Sequence, residues 1–168
     1  MPRARHFANL FYFGLLVTLT CCSGTGENRK LETGKVVMTL SGPLYEGSNT
    51  ATVEWTPALK MMGVQGKNCT SARVESIVLR GNAEQADLFS DITFSLAAPG
   101  ADMQRVGVLN PVQTGDTVWT LQVAGEQDQI EAFLQGKPIT LVADLNLKRD
   151  READMSLTAE LVFEAEFK

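Results

Sequence analysis

Three cysteines and one histidine set the limits of what this chain can catalyse. Cys21 and Cys22 are adjacent, Cys69 stands alone, and the only histidine is His6. A vicinal cysteine pair has three chemical uses: a disulfide, half of a metal site, or a mark left for a processing enzyme. Beyond residue 22 there is no histidine, so imidazole cannot activate a serine or cysteine nucleophile there. Histidine-based zinc, copper and non-haem iron sites are excluded on the same ground, and Cys69 alone cannot build a Cys₂ or Cys₄ site. No G-x-S-x-G, S-x-x-K or phosphate-loop pattern occurs. Gly24 and Gly26 begin a glycine fingerprint that lacks both its third glycine and a preceding strand. No cofactor and no metal are implied.

Carboxylates remain, and two suffice for glycoside hydrolysis. The candidates are Glu54, Glu75, Asp87, Asp91, Asp102, Asp116 and Asp144. Twenty acids spread along 168 residues will produce close pairs by chance. A glycan site would also stack sugars on aromatic platforms. Trp55 and Trp119, however, fall in phase with inward apolar residues and read as core anchors. The chain is therefore expected not to be an enzyme. Asn146, Asp150, Glu152 and Asp154 could offer oxygens to calcium, but their spacing is not that of an EF-hand. Lys148, Arg149 and Arg151 neutralise the same stretch, which reads as a solvated charged turn.

The longest connection, residues 57–73, is the candidate partner loop, and Lys60, Met61, Met62 and Lys67 are its candidate contact residues. Adjacent methionines are flexible and apolar, and the lysines add positive charge to an acidic domain. The competing reading makes the methionines a cover for the open end of a core. Cys69 sits in a formal N-glycosylation sequon, Asn68-Cys69-Thr70, and reads as structural.

The elements that must hold these residues follow from periodicity. From Thr33 onward the apolar period is two. Over residues 155–168, Met155, Leu157, Ala159, Leu161, Phe163, Ala165 and Phe167 fall on one face, and Val162 alone breaks the polar set on the other. Residues 139–148 repeat the pattern, and the polar stretch 149–154 joins the two as a hairpin. Shorter strands are predicted at 35–40, 50–56, 74–80, 91–97, 104–109 and 117–123. Ile130, Phe133 and Leu134 share one face of a short helix over 126–135, stopped by Gly136 and Pro138. The predicted fold is all-β: an antiparallel, immunoglobulin-like β-sandwich of about eight strands with one short crossover helix plugging an end. It spans residues 33–168 as one domain.

Composition agrees with a globular domain, at 44% hydrophobic and 21% charged residues. Past residue 22 the chain carries 13 basic and 20 acidic side chains, a net charge of −7. Such a surface repels phosphate backbones, and nucleic acid is not expected as a partner.

Residues 1–22 are of another kind. Arg3, Arg5 and His6 precede fourteen residues, 7–20, whose only polar members are Asn9 and two threonines. A spanning helix needs about 20 apolar residues, so this run fits the apolar core of a secretory signal. It ends in Leu19-Thr20-Cys21-Cys22-Ser23 rather than in small residues alone. This resembles the lipobox of bacterial lipoproteins, in which an apolar residue stands three before the cysteine that receives diacylglycerol. Counting back from Cys22 reaches Leu19, whereas counting back from Cys21 reaches Thr18. Cys22 is thus the lipidation residue that the resemblance implies, with Cys21 the alternative. Two or three acyl chains on that cysteine would anchor stably where one would not. The family's sorting rule for a following serine, here Ser23, implies the outer membrane. The periplasmic face is the default, and surface exposure is the alternative. Residues 23–32 then read as a flexible tether.

The rhythm of residues 74–168 is similar to that of small β-sandwich lipoproteins of the Bacteroidota. The lipobox resemblance, with most catalytic groups missing from the domain, leads to the expectation of a lipid-anchored, non-catalytic binding or structural module of the cell envelope, with an envelope protein or a glycan as partner. A fimbrillin-like subunit that exchanges its long terminal strand is the alternative, and a carboxylate-dependent glycan enzyme is a third.

Overall fold

The computed structural model describes residues 26–168. Ten strands form two five-stranded antiparallel sheets packed face to face. The first sheet contains β1 (Glu27–Glu32), β2 (Val36–Leu40), β4 (Cys69–Arg80), β7 (Val118–Thr120) and β10 (Met155–Phe167). Its order is β1-β10-β4-β7, with β2 on the same side of β10 as β1, end to end with it. The second sheet has the order β3 (Gly47–Trp55), β9 (Ile139–Leu147), β5 (Phe89–Ala98), β6 (Ala101–Leu109) and β8 (Gln122–Val123).

The alternation of β10 explains its central place. Every odd residue from Met155 to Phe167 is buried, while the even ones, Val162 among them, face outward. Its inward row shares one core with the row of β9, in which Ile139, Leu141, Ala143, Leu145 and Leu147 are all buried. Aromatic pairs tie the layers together. Trp55 of the second sheet stacks on Phe163 of the first, with ring centroids 5.8 Å apart and an interplanar angle of 8°. Phe89 meets Trp119 edge to face at 5.3 Å. Such pairs contribute about 0.5–1.5 kcal/mol each beyond their buried area.

Three features differ from the sequence expectation. Residues 27–32, read as part of a tether, form β1 and pair with β10 from Glu27 opposite Phe167 to Glu32 opposite Val162. Only Leu31 of this strand is buried, so its composition is that of a polar segment although its backbone completes a sheet edge. The segment 117–123 is two strands rather than one. The chain changes sheets at buried Leu121, with β7 on β4 before it and β8 on β6 after it. Ten strands therefore stand where about eight were expected. The helix is a five-residue 3₁₀ turn, Ile130–Leu134, entered through Gln129 at a left-handed φ of 58°. Ile130, Phe133 and Leu134 are buried against β4 on one side and β5 and β6 on the other. The i, i+3, i+4 spacing that predicts an α-helical face also fits one tight turn of three residues per repeat.

Candidate functional site

The candidate partner loop is shorter than the expected 57–73, because β4 already begins at Cys69. Residues 57–68 close one end of the sandwich, beside the start of β1, the start of β4 and the end of β10. Successive turns wind residues 57–68 tightly: the Met61 N–H donates to Ala58 O, Gly63 to Lys60 O, Val64 to Leu59 O and Lys67 to Val64 O, at 3.0–3.2 Å. Gly63 and Gly66 hold φ of 71° and 80°, left-handed values that a side chain would strain. Val64 is fully buried, and Leu59 and Met62 pack half-buried on the core. Met61 points the other way and is 89% exposed. The two adjacent methionines thus divide the roles weighed for them: Met62 covers the core and Met61 is free.

Two contacts fix this loop to the strands that frame it. Lys67 pairs with Glu27, the first residue of β1, and Arg29 pairs with the same carboxylate. Those contacts, the Lys67 hydrogen bond foremost, hold the Glu27 carboxyl below the usual range. Asn68 and Lys168 exchange backbone hydrogen bonds at 2.9 and 3.0 Å. Lys60 is exposed and has no ion pair among the described residues.

At the same end lies a groove of about 500 Å³. Pro99 and Gly100 of the β5–β6 turn form one wall, and Ala132, Pro138 and Ile139 form another, with Glu54 and Lys137 its only charged residues. Its lining is largely aliphatic, with one carboxylate, so it can hold a small apolar group but has no acid pair to cleave a glycosidic bond.

The other carboxylates are distributed, and four of them are partnered. Glu75 takes Lys30 at 2.7 Å. Asp87 accepts from the Gly115 N–H, Asp144 from the Thr50 hydroxyl, and Asp91 from Ser90 and Asn146. Asp102 and Asp116 are exposed. Asp91 and Asp144 are diagonal neighbours across β5 and β9 on an open sheet face, not in a cleft. Among the described residues no three of His, Cys, Asp and Glu converge as metal ligands.

The hairpin 148–154 is bound to the opposite end rather than freely solvated. Asp154 accepts from the Gly42 N–H at 2.8 Å and Asp150 from the Glu46 N–H at 2.7 Å. Leu44 and Arg151 form a bridge between the same two segments. These acids act as acceptors for backbone donors more than 100 residues away, which spacing along the chain does not reveal. Cys69 is a buried free thiol, and burial foremost pushes its pKa up to about 11. A thiol so raised is a poor nucleophile at neutral pH.

Residues that the sequence did not single out do visible work at β4. Gln127 and Gln135 flank the 3₁₀ turn, and their side-chain amides bond to the backbone of Val74 and Cys69. Cys21 and Cys22 lie outside the described residues, and no described helix is long and apolar enough to cross a membrane.

No protein-family model and no curated protein matches the chain. Solved structures give remote likenesses. A structure of Desmodium yellow mottle tymovirus covers 99% of this chain and 96% of its own, at 7% identity and a TM-score of 0.36. A structure of carbohydrate-binding modules from the β-sandwich superfamily covers 79% at 10% identity and a TM-score of 0.35, and this chain spans 54% of it. Turnip yellow mosaic virus gives 10% identity and a TM-score of 0.28, over 84% of this chain and 94% of that one. Similarity this slight carries no functional argument.

Proposed function

We propose that this chain is a lipid-anchored protein of the bacterial cell envelope, held by acyl chains on Cys22, whose sandwich is a non-catalytic binding or structural module. The outer membrane, with the domain on its periplasmic side, is the location that Ser23 suggests. The observation that carries the reading is the apolar run that ends in Leu19-Thr20-Cys21-Cys22 a few residues before an ordered edge strand. A protein cut before Cys22 would pass from lipid to folded domain within five residues. The chemistry on the domain supports a role without catalysis: the candidate acids are partnered or scattered, and the one described thiol is buried and raised in pKa.

Assembly by exchange of the terminal strand is less well supported. β10 lies between β4 on one side and β1 with β2 on the other, so donating it would dismantle the first sheet.

The test is Cys22→Ser in a bacterium with a working lipoprotein pathway. Release into the soluble envelope fraction, or accumulation of uncut precursor without incorporation of a labelled fatty acid, is the expected result. Unchanged membrane partition and labelling would overturn the assignment to Cys22, and the same result in Cys21→Ser/Cys22→Ser would overturn lipidation itself.

A further inference from the structure

We propose that the end of the sandwich bearing loop 57–68 is a membrane-contact surface, with Met61 entering the phospholipid headgroup layer and Lys60 beside it pairing with lipid phosphates. The inference rests on lipidation at Cys22 and specifies what the anchored domain touches.

The first argument is reach. Cys22 stands five residues before Glu27, and five fully extended residues span at most about 18 Å. The entry point of β1 therefore stays close to the bilayer surface. The second argument is what lies at that entry point. Lys67 pairs with Glu27 itself, so loop 57–68 is held beside the residue through which the chain arrives. The third is the make-up of the loop. Over residues 57–68 it has two lysines and no acid in a domain of net negative charge. Its apex presents a flexible apolar side chain at 89% exposure, while Val64 and Leu59 hold the turn from behind. A thioether with no partner inside the domain, carried on a compact turn, can enter an interface without unfolding anything. Of the two lysines, Lys67 is engaged by Glu27, which leaves Lys60 for phosphate. The anchor supplies the rest: a tethered surface meets the membrane at high effective concentration, so even a weak contact is populated.

The opposite end provides an internal control. Tyr45 is 65% exposed there, in the connection from β2 to β3 beside the hairpin that carries Arg151. The experiment uses the full lipidated protein in vesicles of phosphatidylethanolamine and phosphatidylglycerol. An environment-sensitive fluorophore is placed on Met61→Cys or on Tyr45→Cys, with buried Cys69 unreactive. Flotation with the vesicles tests the anchor. Doxyl-labelled lipids then test the contact: the probe at 61 should be quenched several-fold more than the probe at 45, and Lys60→Glu should reduce that difference. Protein that floats while both probes stay equally exposed to water would overturn the contact and leave the anchor standing. Protein that fails to float would overturn both. Protection of position 61 only on adding a second envelope protein would assign the loop to a protein partner and overturn the membrane assignment.

Discussion

The side chain of Gln127 occupies the place of a missing strand beside Val74. Its Oε1 accepts from the Val74 N–H at 2.6 Å, and its Nε2 donates to the Val74 carbonyl at 3.0 Å. The same Nε2 also reaches Ala124 O at 3.0 Å. β7 pairs only with residues 78–80 of β4, and the chain then leaves for the other sheet. The remainder of that edge would present unpaired backbone groups, the usual template for unwanted pairing between chains. Gln135 supplies a second cap, donating to Cys69 O at 3.2 Å. The glutamines on either side of the 3₁₀ turn thus finish the edge that the short strand leaves open.

Gln127→Ala should lose about 1–3 kcal/mol, the cost of leaving partly buried backbone groups without partners. Urea titration measures it. Gln127→Glu keeps the acceptor for Val74 N–H but sets a carboxylate oxygen against the Val74 and Ala124 carbonyls, so it should cost at least as much as alanine. Size-exclusion chromatography should show concentration-dependent association for the alanine variant. A monomer of unchanged stability would mean that water replaces the amide at no cost.

At the far end, the hairpin should behave as a bonded structure and not as a calcium loop. Asp150→Ala and Asp154→Ala each remove a side-chain acceptor from a backbone N–H and should cost about 0.5–1.5 kcal/mol. Asparagine at either position keeps an acceptor oxygen and should cost less. Gly42→Ala should be worse than any of these, because its Cβ would lie 2.4 Å from the Glu152 carbonyl oxygen, and backbone cannot rotate away. Thermal melts in calcium and in EDTA should coincide.

These two ends indicate what periodicity can and cannot carry. β10 and β9 were legible because one face of each is core and the other is solvent, so every residue reports the period. β1 was not, since an edge strand that buries Leu31 alone has the composition of a tether. Adjacent Met61 and Met62 are indistinguishable in type, and only the winding of the loop sends one inward. The Gln127 contact joins residues 53 apart and leaves no local trace. Of the candidate site, the loop was legible from its length. Its place beside Glu27 came from the pairing of β1 with β10.

Cys69 should make stability fall at high pH. Its thiol titrates near 9 when unperturbed and near about 11 in the fold, chiefly because of burial, with the Glu131 charge adding to it. The unfolded chain therefore ionises first. The thiol's contribution is complete below about 9 and is lost as pH rises through about 11. Cys69→Ala should flatten that part of the curve relative to wild type, which cancels the titration of lysines common to both. Native protein at pH 8 should resist alkylation until denaturant is added.

Glu27 predicts the opposite slope. Its carboxyl is held below the usual 4.5, first by the Lys67 hydrogen bond, with Arg29 aiding. The contribution is present above 4.5 and is lost as pH falls through the lower folded value. Because the group is exposed, salt should screen the effect. Glu27→Gln should speed amide exchange in residues 57–68 at neutral pH and low salt, while exchange around Asp150 stays unchanged. Equal exchange at the loop would mean that its own turns hold it without the pair.

At Gly81 the turn after β4 runs close against Trp119. A Cβ there would lie 2.4 Å from Gln85 Oε1 and 2.7 and 2.9 Å from ring carbons of Trp119. Neither neighbour can yield cheaply. Gln85 is buried and holds both ends of its amide, accepting from Asn82 N–H at 2.7 Å and donating to Ser156 O at 3.0 Å. Trp119 is buried edge-on against Phe89. Its indole N–H has no hydrogen-bond partner among the described residues. Gly81→Ala should therefore cost about 1–3 kcal/mol through overpacking, visible in a lowered melting temperature and a changed Trp119 emission. In the double variant with Trp119→Phe, the smaller ring makes room, so the alanine should cost less than it does alone. Additive costs would show instead that the clash is relieved at Gln85.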